Sequence, residues 1–487
     1  MYCLEDRYSP LHTDLYQINM MYTYWKEGRF NQPAIFECYF RKMPFHSGYA
    51  IFAGLEHIVD YLNHFSFSDE DIQYLRDLDH YDEAFLTMLA EMKLQLTIRS
   101  VKEGELVFNN EPLLQVEGPL GQAQLIETAI LNIINYQTLI ATKAARIKQV
   151  CGDDLVMEFG ARRAQEMDAA LWGSRASYIG GCDATSNVLA GRCFGIPTSG
   201  THAHSLVQAY QDEYEAFKAY AKTHKDCVFL IDTYDTMNSG IVNAIRVAKE
   251  MEGQINFKGV RIDSGDMAYI SKQVRKKLDE EGFKEAKIYA SNDLDEETIL
   301  NLKMQHAKID VWGVGTKLIT AFDQPALGAV YKLVSIKEED GWQDTIKLSS
   351  NVEKMTTPGP KQVWRITNKD NHRSEGDYIT LIDEDPRNEA SLFMFHPVYT
   401  YINKTVENFS ARPLLHLIFE QGKCVYTLPK LEEIKCYAKE NLDSLWGEYK
   451  RNLNPQEYPV DLSKRLWEDK RQLIESVRKK IQKNKKC

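Results

Sequence analysis

The sequence of 487 residues lacks the features of an exported, disulfide-bonded or membrane-spanning protein. Its nine cysteines are an odd number and include no C-x-x-C pair, which argues against a disulfide framework and a zinc ribbon. No apolar run approaches the roughly 18 residues of a membrane span. The opening residues, MYCLEDRYSP, lack the basic and apolar regions of a signal peptide. We therefore expect a cytoplasmic protein whose cysteines are free thiols.

The sequence also lacks an excess of positive charge. It contains 70 acidic and 59 basic residues, and its formal net charge is −11. Proteins that bind nucleic acids or anionic membranes usually carry a basic excess, so we expect neither as a partner. Hydrophobic residues make up 44% of the chain, as in an ordinary globular protein, and the length predicts about three folding units.

One pattern recurs between about residues 155 and 335: a short apolar run, a polar or glycine-containing tip, and a segment with helical spacing. This alternation is typical of βα units with parallel strands. An open sheet and a closed barrel both fit it, but no G-x-G-x-x-G motif follows the first strand, so we favour an α/β barrel. The apolar runs are LVMEFG (155 to 160), IPTSGTHAHS (196 to 205), CVFLIDTYDT (227 to 236), GVRIDSGD (259 to 266), AKIYASND (286 to 293) and IDVWGVGTKL (309 to 318).

The sequence predicts where one helix of this region ends and where another begins. Apolar residues recur along the helix after GVRIDSGD, and Gly282 is predicted to end it. Asp293 and Glu296 stand three residues apart, which predicts a capping box before a helix over 295–305.

The two flanks differ from this central part. Residues 1–135 mix helical and strand-like runs, which predicts an α+β domain before a barrel over 136–335. Turn pairs between apolar runs predict that 336–487 is a strand-rich region that packs on the first domain. These pairs include Asp340-Gly341 and Gln421-Gly422.

The chain ends in a basic segment over 464–486 with apolar residues at helical spacing. A membrane or nucleic-acid helix is conceivable, but a docked terminal helix with a solvated basic face is the favoured interpretation. The residues at this spacing are Leu466, Lys470, Leu473, Val477 and Ile481.

The tip of GVRIDSGD concentrates charged groups at a strand end. It contains Arg261, Asp263 and Asp266, where an acidic residue could equally cap the next helix. A guanidinium beside carboxylates suits a site that binds an anion while positive charge develops on a sugar carbon. Arg261 therefore favours the functional interpretation.

Two further tips suit a flat, anionic ligand. In GVGT, Gly313, Gly315 and Thr316 could bind a phosphate through backbone N–H groups or form an ordinary glycine turn. In EFGARR, Phe159 could stack on a planar ring and Arg162 could hold a phosphate or carboxylate, although both residues could equally serve core and surface.

A pair of histidines occurs in SGTHAHS. His202 and His204 could suggest zinc, but no third Cys, His or carboxylate stands at a ligand spacing nearby, so we predict no metal site there. A histidine beside Ser and Thr is more often structural, whereas the position at the barrel rim raises the catalytic interpretation.

Ordered motifs through nearly the whole chain resemble the nicotinate phosphoribosyltransferase family. These motifs are LHTDLYQINMMYTYW (11 to 25), FRKMPF (40 to 45), YQTLIATKAARI (136 to 147), EFGARRAQ (158 to 165), GGCDATSNVLAG (180 to 191), GTHAHS (200 to 205), VRIDSGD (260 to 266), GVGTKLIT (313 to 320), QPALGAVYKLV (324 to 334), LSSNVEKMTTPGPK (348 to 361) and YPVDLS (458 to 463). The resemblance implies a type II phosphoribosyltransferase fold, an irregular α/β barrel with an N-terminal α+β domain.

The resemblance also implies a reaction and a set of substrates. The family converts nicotinate, 5-phosphoribosyl 1-pyrophosphate, ATP and water into nicotinate mononucleotide, pyrophosphate, ADP and phosphate, the first step of NAD salvage from nicotinate. Mg²⁺ is expected chiefly on the phosphates, and no protein ligand is assigned to it. Family members are homodimers with a shared active site, in which Tyr16 of one subunit and Phe159 of the other enclose the pyridine ring.

The motif positions assign roles to the remaining residues. His204 corresponds to the histidine that ATP phosphorylates, and Asp263 and Asp266 would lie near the reacting sugar carbon. Thr201 and Arg261 would contact nicotinate or phosphoribosyl pyrophosphate. The sugar 5-phosphate would be held by Gly313, Gly315 and Thr316, while Arg162 adds positive charge at the rim.

Three alternatives remain open. A nicotinamide or quinolinate phosphoribosyltransferase would share the fold, and Asp183 near the rim could serve an amide substrate. A barrel aldolase would use Lys317 as a Schiff-base amine and need no ATP. A non-catalytic binding module is disfavoured, because binding alone would not require the carboxylates, histidine and arginine together.

Overall fold

The computed structural model describes residues 8–349 and 355–484. Cys3, Cys487, part of the motif at 348–361 and the last residues of the basic C-terminal segment lie outside the described residues. The chain divides into two compact units, Met1–Leu139 with Ala326–Cys487, and Ile140–Pro325. The segments 1–135 and 336–487 thus belong to one unit. None of the described helices is both long and apolar enough to cross a membrane.

The N-terminal part of the first unit mixes helices and strands, as the sequence predicts. Its elements are α1 (Leu15–Lys26), β1 (Pro33–Phe40), β2 (Ala50–Ile51), α2 (Leu55–Asn63), α3 (Asp69–Asp77), α4 (Glu83–Ala90), β3 (Thr97–Ser100), β4 (Leu106–Val107), β5 (Leu114–Pro119), α5 (Leu120–Leu125) and α6 (Glu127–Cys151), which includes the boundary to the second unit.

The second unit alternates strands and helices. Its elements are β6 (Leu155–Glu158), α7 (Glu166–Ile179), β7 (Ala184–Thr185), α8 (Val188–Phe194), α9 (His204–Tyr210), α10 (Glu213–Thr223), β8 (Asp226–Leu230), α11 (Ile241–Glu250), β9 (Asn256–Ile262), α12 (Met267–Glu280), β10 (Lys287–Ser291), α13 (Glu296–Met304), β11 (Val311–Val314) and α14 (Thr316–Ile319).

These strands form a parallel sheet in the order β7-β6-β11-β10-β9-β8. Parallel strands need helical crossovers, which cover the sheet, so the strands are rich in buried apolar residues. All four residues of β11 are buried, for example. The irregular α/β barrel predicted from the sequence is confirmed.

Helix α12 illustrates how local sequence sets the bounds of an element. The Asp266 side chain accepts a hydrogen bond from the Tyr269 N–H and caps the first turn. Val274 and Leu278 on the apolar stripe are buried. Gly282 follows the helix with a φ of +89°, the left-handed conformation that glycine adopts without strain. The predicted end of this helix is confirmed.

The predicted capping box at the next helix is wrong. Helix α13 begins at Glu296, and its N-cap is Asp295, whose side chain accepts from the Thr298 N–H at 2.8 Å. Asp293 lies two residues before the cap and has a φ of +31°. The spacing rule selected a carboxylate in the preceding turn, because two acidic residues compete at this helix start.

The run 196 to 205 differs from the other five predicted strands. Only an isolated bridge joins it to the sheet, between Thr198 and Thr185 of β7. Pro197 has no N–H to donate, and the following residues are small and polar, so the run lacks the pattern of a continuous ladder. The short strand β7, which the sequence pattern missed, takes its place beside β6.

This segment nonetheless spans the opening between β7 and β8, the opposite edges of the sheet. At one end the Ser199 N–H donates to the Thr185 carbonyl at 3.0 Å. At the other end His202 Nε2 accepts from the Leu230 N–H of β8 at 3.1 Å. A side-chain hydrogen bond therefore takes the place of a backbone ladder in this gap between the edge strands β7 and β8, which we call the last seam of the barrel.

His202 suits this position as a neutral ring. It is 7% exposed, packs against Phe217 and Tyr220, and Nδ1 lies 3.3 Å from the Ala203 carbonyl. Nδ1 therefore carries the proton while Nε2 accepts. Burial lowers the pKa of His202 to about 4, since the charged ring would lose its hydration.

The C-terminal part of the first unit is rich in strands. Its elements are β12 (Ala329–Glu338), β13 (Gly341–Asp344), β14 (Lys361–Asn368), β15 (Ser374–Leu381), β16 (Ser391–Phe395), β17 (Asn403–Glu407), β18 (Phe409–Pro413), β19 (His416–Glu420), β20 (Lys423–Cys424), α15 (Leu431–Ser444), α16 (Gly447–Lys450), β21 (Val460–Leu462) and α17 (Lys464–Asn484).

Four C-terminal strands join three N-terminal ones in an antiparallel sheet, in the order β13-β12-β1-β5-β3-β19-β20, while other C-terminal strands form a second sheet in the order β18-β14-β15-β21. The hairpins predicted at Asp340-Gly341 and Gln421-Gly422 connect β12 with β13 and β19 with β20. Gly341 and Gly422 have φ values of +116° and +80°, so both turns use the conformational freedom of glycine. The predicted packing of the strand-rich region on the first domain is confirmed.

The seam at His202 predicts a pH dependence of stability. The folded-state pKa of about 4 lies below the ordinary histidine pKa of 6.5, so the unfolded chain binds the proton first as the pH falls. The stability from neutral His202 is therefore present above about pH 6.5 and is lost towards pH 4, by at most about 1.4 kcal/mol per pH unit.

Denaturant unfolding at pH 7.5, 6.0 and 5.0 checks this expectation in the wild type and in His202→Gln, whose amide oxygen can accept from the Leu230 N–H. The variant should show the shallower pH dependence. His416, whose pKa burial also lowers to about 4, is present in both proteins and cancels in the comparison. Equal slopes would contradict the assigned role of His202.

Candidate active site

A cavity of about 340 Å³ opens at the carboxyl ends of the barrel strands in the second unit. Six predicted site residues line it: Phe159, Arg162, Thr201, His204, Arg261 and Asp263. They come from three segments distant in sequence, which follow β6, lead into α9 and end β9, and they meet at the rim where the parallel strands end. The remaining lining residues are Ala161, Ser186, Gly200, His202, Ala203 and Leu230.

The Arg261 guanidinium ties the end of β9 to the end of β10 and to the segment of Thr201. Its Nε donates to Ser291 Oγ at 2.8 Å, one terminal nitrogen donates to Thr201 Oγ1 at 3.0 Å, and the other to Asp263 Oδ1 at 3.2 Å. The Ser291 hydroxyl also donates to Asp263 Oδ1. Because every nitrogen of the guanidinium has an acceptor, the side chain is fixed and its positive charge faces the cavity.

Phe159 supplies a flat apolar wall beside this charge. Arg261 Cζ lies 5.8 Å from the centroid of its ring. A Cβ at Gly313 would lie 2.7 Å from the ring, so glycine at 313 makes room for Phe159. Gly313 therefore has a packing role in strand β11, whether or not its backbone also meets a phosphate.

Glu158 holds the loop that carries Phe159. Its buried carboxylate accepts from Ser174 Oγ at 2.8 Å, from Thr185 Oγ1 at 2.6 Å and from the Gly160 N–H. Three donors compensate one buried negative charge. Glu158 thus acts as a positioning residue, a role that its place at the end of an apolar run could have indicated.

His204 differs from its neighbour His202 in being accessible. Its Nδ1 lies 3.0 Å from Thr233 Oγ1, and its Nε2 lies 3.6 Å from Asp263 Oδ2. The side chain is 38% exposed. Thr233 and Asp263 orient the ring while leaving it open to an incoming group.

Asp232, which the sequence pattern did not single out for a role, holds the loop of the cavity-lining Asp263. Its Oδ2 accepts from the Asp263 N–H at 2.8 Å and from Ser264 Oγ at 2.6 Å. Its Oδ1 is buried and accepts no hydrogen bond from the described residues. Its position directly after the apolar run CVFLI could have indicated a functional role, because barrel enzymes place functional groups at the carboxyl ends of their strands.

Five predicted site residues lie outside the cavity lining. One is Gly313, which packs against Phe159 as described above. Asp266 is exposed and caps α12. Gly315 and Thr316 stand at the start of α14, next to the cavity-lining loop of Phe159, whose carbonyl lies 3.3 Å from a Cβ built at Gly315. Tyr16 lies on α1 in the first unit and is 50% exposed.

The donor set has limited capacity for a metal. No group of three or more His, Cys, Asp or Glu side chains that could hold a metal ion occurs in the part of the chain that the structure describes. The free Oδ1 of Asp232 fits a Mg²⁺ ion that takes one carboxylate and keeps water and phosphate oxygens as its other ligands.

The geometry weakens two of the alternatives. Lys317 donates to Asp295 Oδ2 at 2.5 Å, and this hydrogen bond raises the pKa of Lys317, whereas a Schiff-base lysine needs a lowered pKa. Asp183 accepts from the Val156 N–H at 2.8 Å and from Lys148 Nζ at 3.1 Å, and it does not line the cavity. It therefore offers no acceptor to an amide substrate there.

Comparisons with known proteins point to the same family along nearly the whole chain. Three family models match in succession: the nicotinate phosphoribosyltransferase N-terminal domain over residues 11–135, the nicotinate phosphoribosyltransferase family over 155–357, and the nicotinate phosphoribosyltransferase C-terminal domain over 360–470. A nicotinate phosphoribosyltransferase of Bacillus subtilis is 61% identical over 481 residues, covering 99% of this chain and 98% of that protein.

More distant relatives show the same extent of similarity. The nicotinate phosphoribosyltransferase of Caenorhabditis elegans is 38% identical over 524 residues, covering 94% of this chain and 92% of that protein. The crystal structure of human nicotinic acid phosphoribosyltransferase superposes with a TM-score of 0.84 at 32% identity, covering 95% of this chain and 99% of that one. The chain therefore belongs to the nicotinate phosphoribosyltransferase family.

Proposed function

We propose that the protein is an ATP-coupled nicotinate phosphoribosyltransferase that acts as a cytoplasmic homodimer. It would convert nicotinate, 5-phosphoribosyl 1-pyrophosphate, ATP and water into nicotinate mononucleotide, pyrophosphate, ADP and phosphate. The observation that carries the proposal is the cavity in which a fixed guanidinium, an aromatic wall and an accessible histidine meet. The 61% identity with the Bacillus subtilis enzyme supports the choice of substrate.

The nicotinate ring would lie against Phe159, with Tyr16 of the partner subunit on its other face. Stacking suits a planar heteroaromatic ring, and the nearby guanidinium of Arg261 suits its carboxylate or a phosphate of the second substrate. Thr201, held by Arg261, presents its hydroxyl to the same space. Arg162, exposed at the rim, adds positive charge for the phosphates.

The phosphoribosyl group would be held at the late strands of the barrel. The backbone of Gly313 and Gly315 and the hydroxyl of Thr316 would receive the 5-phosphate, a placement common in α/β barrels. Asp232 Oδ1 would contribute one ligand to Mg²⁺. When bound, Mg²⁺ neutralises charge on the pyrophosphate.

The chemical step replaces one bond at the sugar carbon C1 with another. The bond from C1 to the pyrophosphate oxygen breaks with its electron pair, positive charge develops at C1, and the pyridine nitrogen donates its lone pair to C1. Asp263, fixed by Arg261 and Ser291, would stabilise the positive charge, and Asp266 stays a predicted contributor.

ATP would act through His204. Transfer of the γ-phosphoryl group to the exposed imidazole breaks the bond to ADP and forms a P–N bond, and water later hydrolyses this bond to release phosphate. Phosphorylation would favour a state that binds the substrates tightly, and hydrolysis would restore the state that releases the products. Thr233 and Asp263 would orient the ring for the transfer.

A substrate panel tests the proposed activity. Purified protein should form nicotinate mononucleotide and pyrophosphate from nicotinate and phosphoribosyl pyrophosphate, faster with ATP than without it. Chromatographic separation of the nucleotides measures the products, with nicotinamide and quinolinate as comparison substrates. Turnover of nicotinamide alone would overturn the assignment.

Phosphohistidine formation tests the role of His204. Incubation with γ-labelled ATP should give an acid-labile, base-stable label on the wild type and none on His204→Ala, because the exposed ring is the acceptor. The matched control is His202→Gln, which should keep the label, since His202 is buried with both nitrogens engaged. Label that persists in His204→Ala would identify another acceptor.

Replacement of Arg261 tests the binding of the anionic substrates. Lysine has a single nitrogen and cannot hold Ser291, Thr201 and Asp263 together. Arg261→Lys should raise KM for an anionic substrate roughly 10- to 150-fold, which corresponds to about 1.5 to 3 kcal/mol for a hydrogen bond to a charged group. Steady-state kinetics measure this effect, and Arg246→Lys on the exposed face of α11 is the control. An unchanged KM would place Arg261 outside the binding site.

A further inference from the structure

The first unit contains a cavity of its own, of about 360 Å³, which is lined by residues of α17, β1, β15 and β21. Its walls are largely apolar and include Ile379, Leu462, Trp467 and Ile474. The volume lies within the range of small-molecule sites, which typically combine apolar walls with a few polar groups. None of the residues lining this cavity lines the candidate active site.

Two lysines line this cavity, and the first is fully neutralised. Lys361 Nζ lies 2.8 Å from Glu37 Oε2 and donates to the carbonyls of Thr357 at 2.7 Å and Gly359 at 2.6 Å. The second oxygen of Glu37 accepts from Gln115 Nε2 at 3.0 Å. This ion pair is buried, and its charges cancel. It therefore has a structural role and leaves no net charge for a ligand.

The second lysine, Lys470, is not neutralised. Within the described residues its Nζ makes one hydrogen bond, to Thr357 Oγ1 at 3.0 Å, and forms no ion pair with a carboxylate. Burial, together with Lys361, lowers the pKa of Lys470 to about 8. At neutral pH most of these ammonium groups remain charged, with two donors unused.

The place of Lys470 in its helix is equally unusual. Leu466, one turn earlier on the same stripe of α17, is fully buried, and the indole N–H of the adjacent Trp467 donates to the Pro397 carbonyl at 2.9 Å. This stripe is the docked face of the helix. A cation without a counter-charge is unfavourable on such a face, where methionine would fill the same space without the loss of hydration.

Within the described residues, the cavity therefore offers an ammonium without a paired carboxylate beside apolar walls. A carboxylate matches the charge of this ammonium, and an apolar substituent matches the walls. Arg471 stands at the exposed side, with its guanidinium carbon 4.7 Å from the centroid of Trp467, and adds positive potential at the entrance.

We propose that this cavity is a second small-molecule site, which binds a monocarboxylate with an apolar ring or branched chain. The carboxylate accepts from Lys470 Nζ and Thr357 Oγ1 holds the ammonium in place, while the apolar part packs between α17 and the residues Ile379 and Leu462. The site assigns a binding role to the basic C-terminal helix.

Calorimetric titration of the full-length protein with 4-phenylbutyrate tests this site. The acid should bind at least tenfold more tightly than the neutral 4-phenylbutanol, because only the acid pairs with Lys470. Binding should persist in the presence of saturating phosphoribosyl pyrophosphate. Lys470→Met should weaken binding of the acid at least tenfold, whereas Lys464→Met on the exposed face of the same helix should leave it unchanged.

Thermal unfolding without ligand provides a second measurement. Lys470→Met should raise Tm, because it removes an unpaired cation from a docked face, and 4-phenylbutyrate should raise the Tm of the wild type only. A lower Tm for Lys470→Met would show that the ammonium already has a structural partner and would overturn the proposal. Equal affinity for the acid and the alcohol, or displacement by phosphoribosyl pyrophosphate, would also overturn it.

Discussion

The guanidinium of Arg261 fixes the geometry on which the candidate active site depends. It joins the end of β9 to Ser291 at the end of β10 and to Thr201 in the segment that spans the barrel opening. It also holds Asp263 beside His204 and lies next to the ring of Phe159. A single planar group with three nitrogen donors thus brings four βα tips into one arrangement, which a point charge such as lysine could not do.

The last seam of the barrel shows how a site and a fold can share one short segment. Residues 197–203 supply a backbone bridge to β7 and a side-chain hydrogen bond to β8, so the segment stays anchored at both ends. His202 is buried and structural, whereas His204, two residues later, is accessible and begins α9. The anchored seam therefore positions the candidate phosphate acceptor.

Compensation of charge separates structural groups from groups available to ligands in both units. Glu158 has three donors, and Lys361 is paired with Glu37 and donates to backbone carbonyls, so both groups have structural roles. Asp232 Oδ1 and Lys470 lack such compensation within the described residues, and Lys470 lines a cavity where a ligand could supply it. Burial of an uncompensated polar group is unfavourable, so such groups point to binding.

Periodicity, turn chemistry and strand ends are local properties of a sequence. The amino-acid sequence alone was therefore sufficient to predict the βα alternation, the hairpin turns at Gly341 and Gly422 and the end of α12. It was also sufficient to name the six residues that meet in the cavity. It could not decide which histidine would be buried, which acidic residue would cap α13, or that 196 to 205 would close the barrel through a side chain. These outcomes depend on partners distant in the chain, such as Leu230 for His202. Only the tertiary structure brings those partners together. Their hydrogen bonds then decide between a structural and a functional role, which the local sequence does not distinguish.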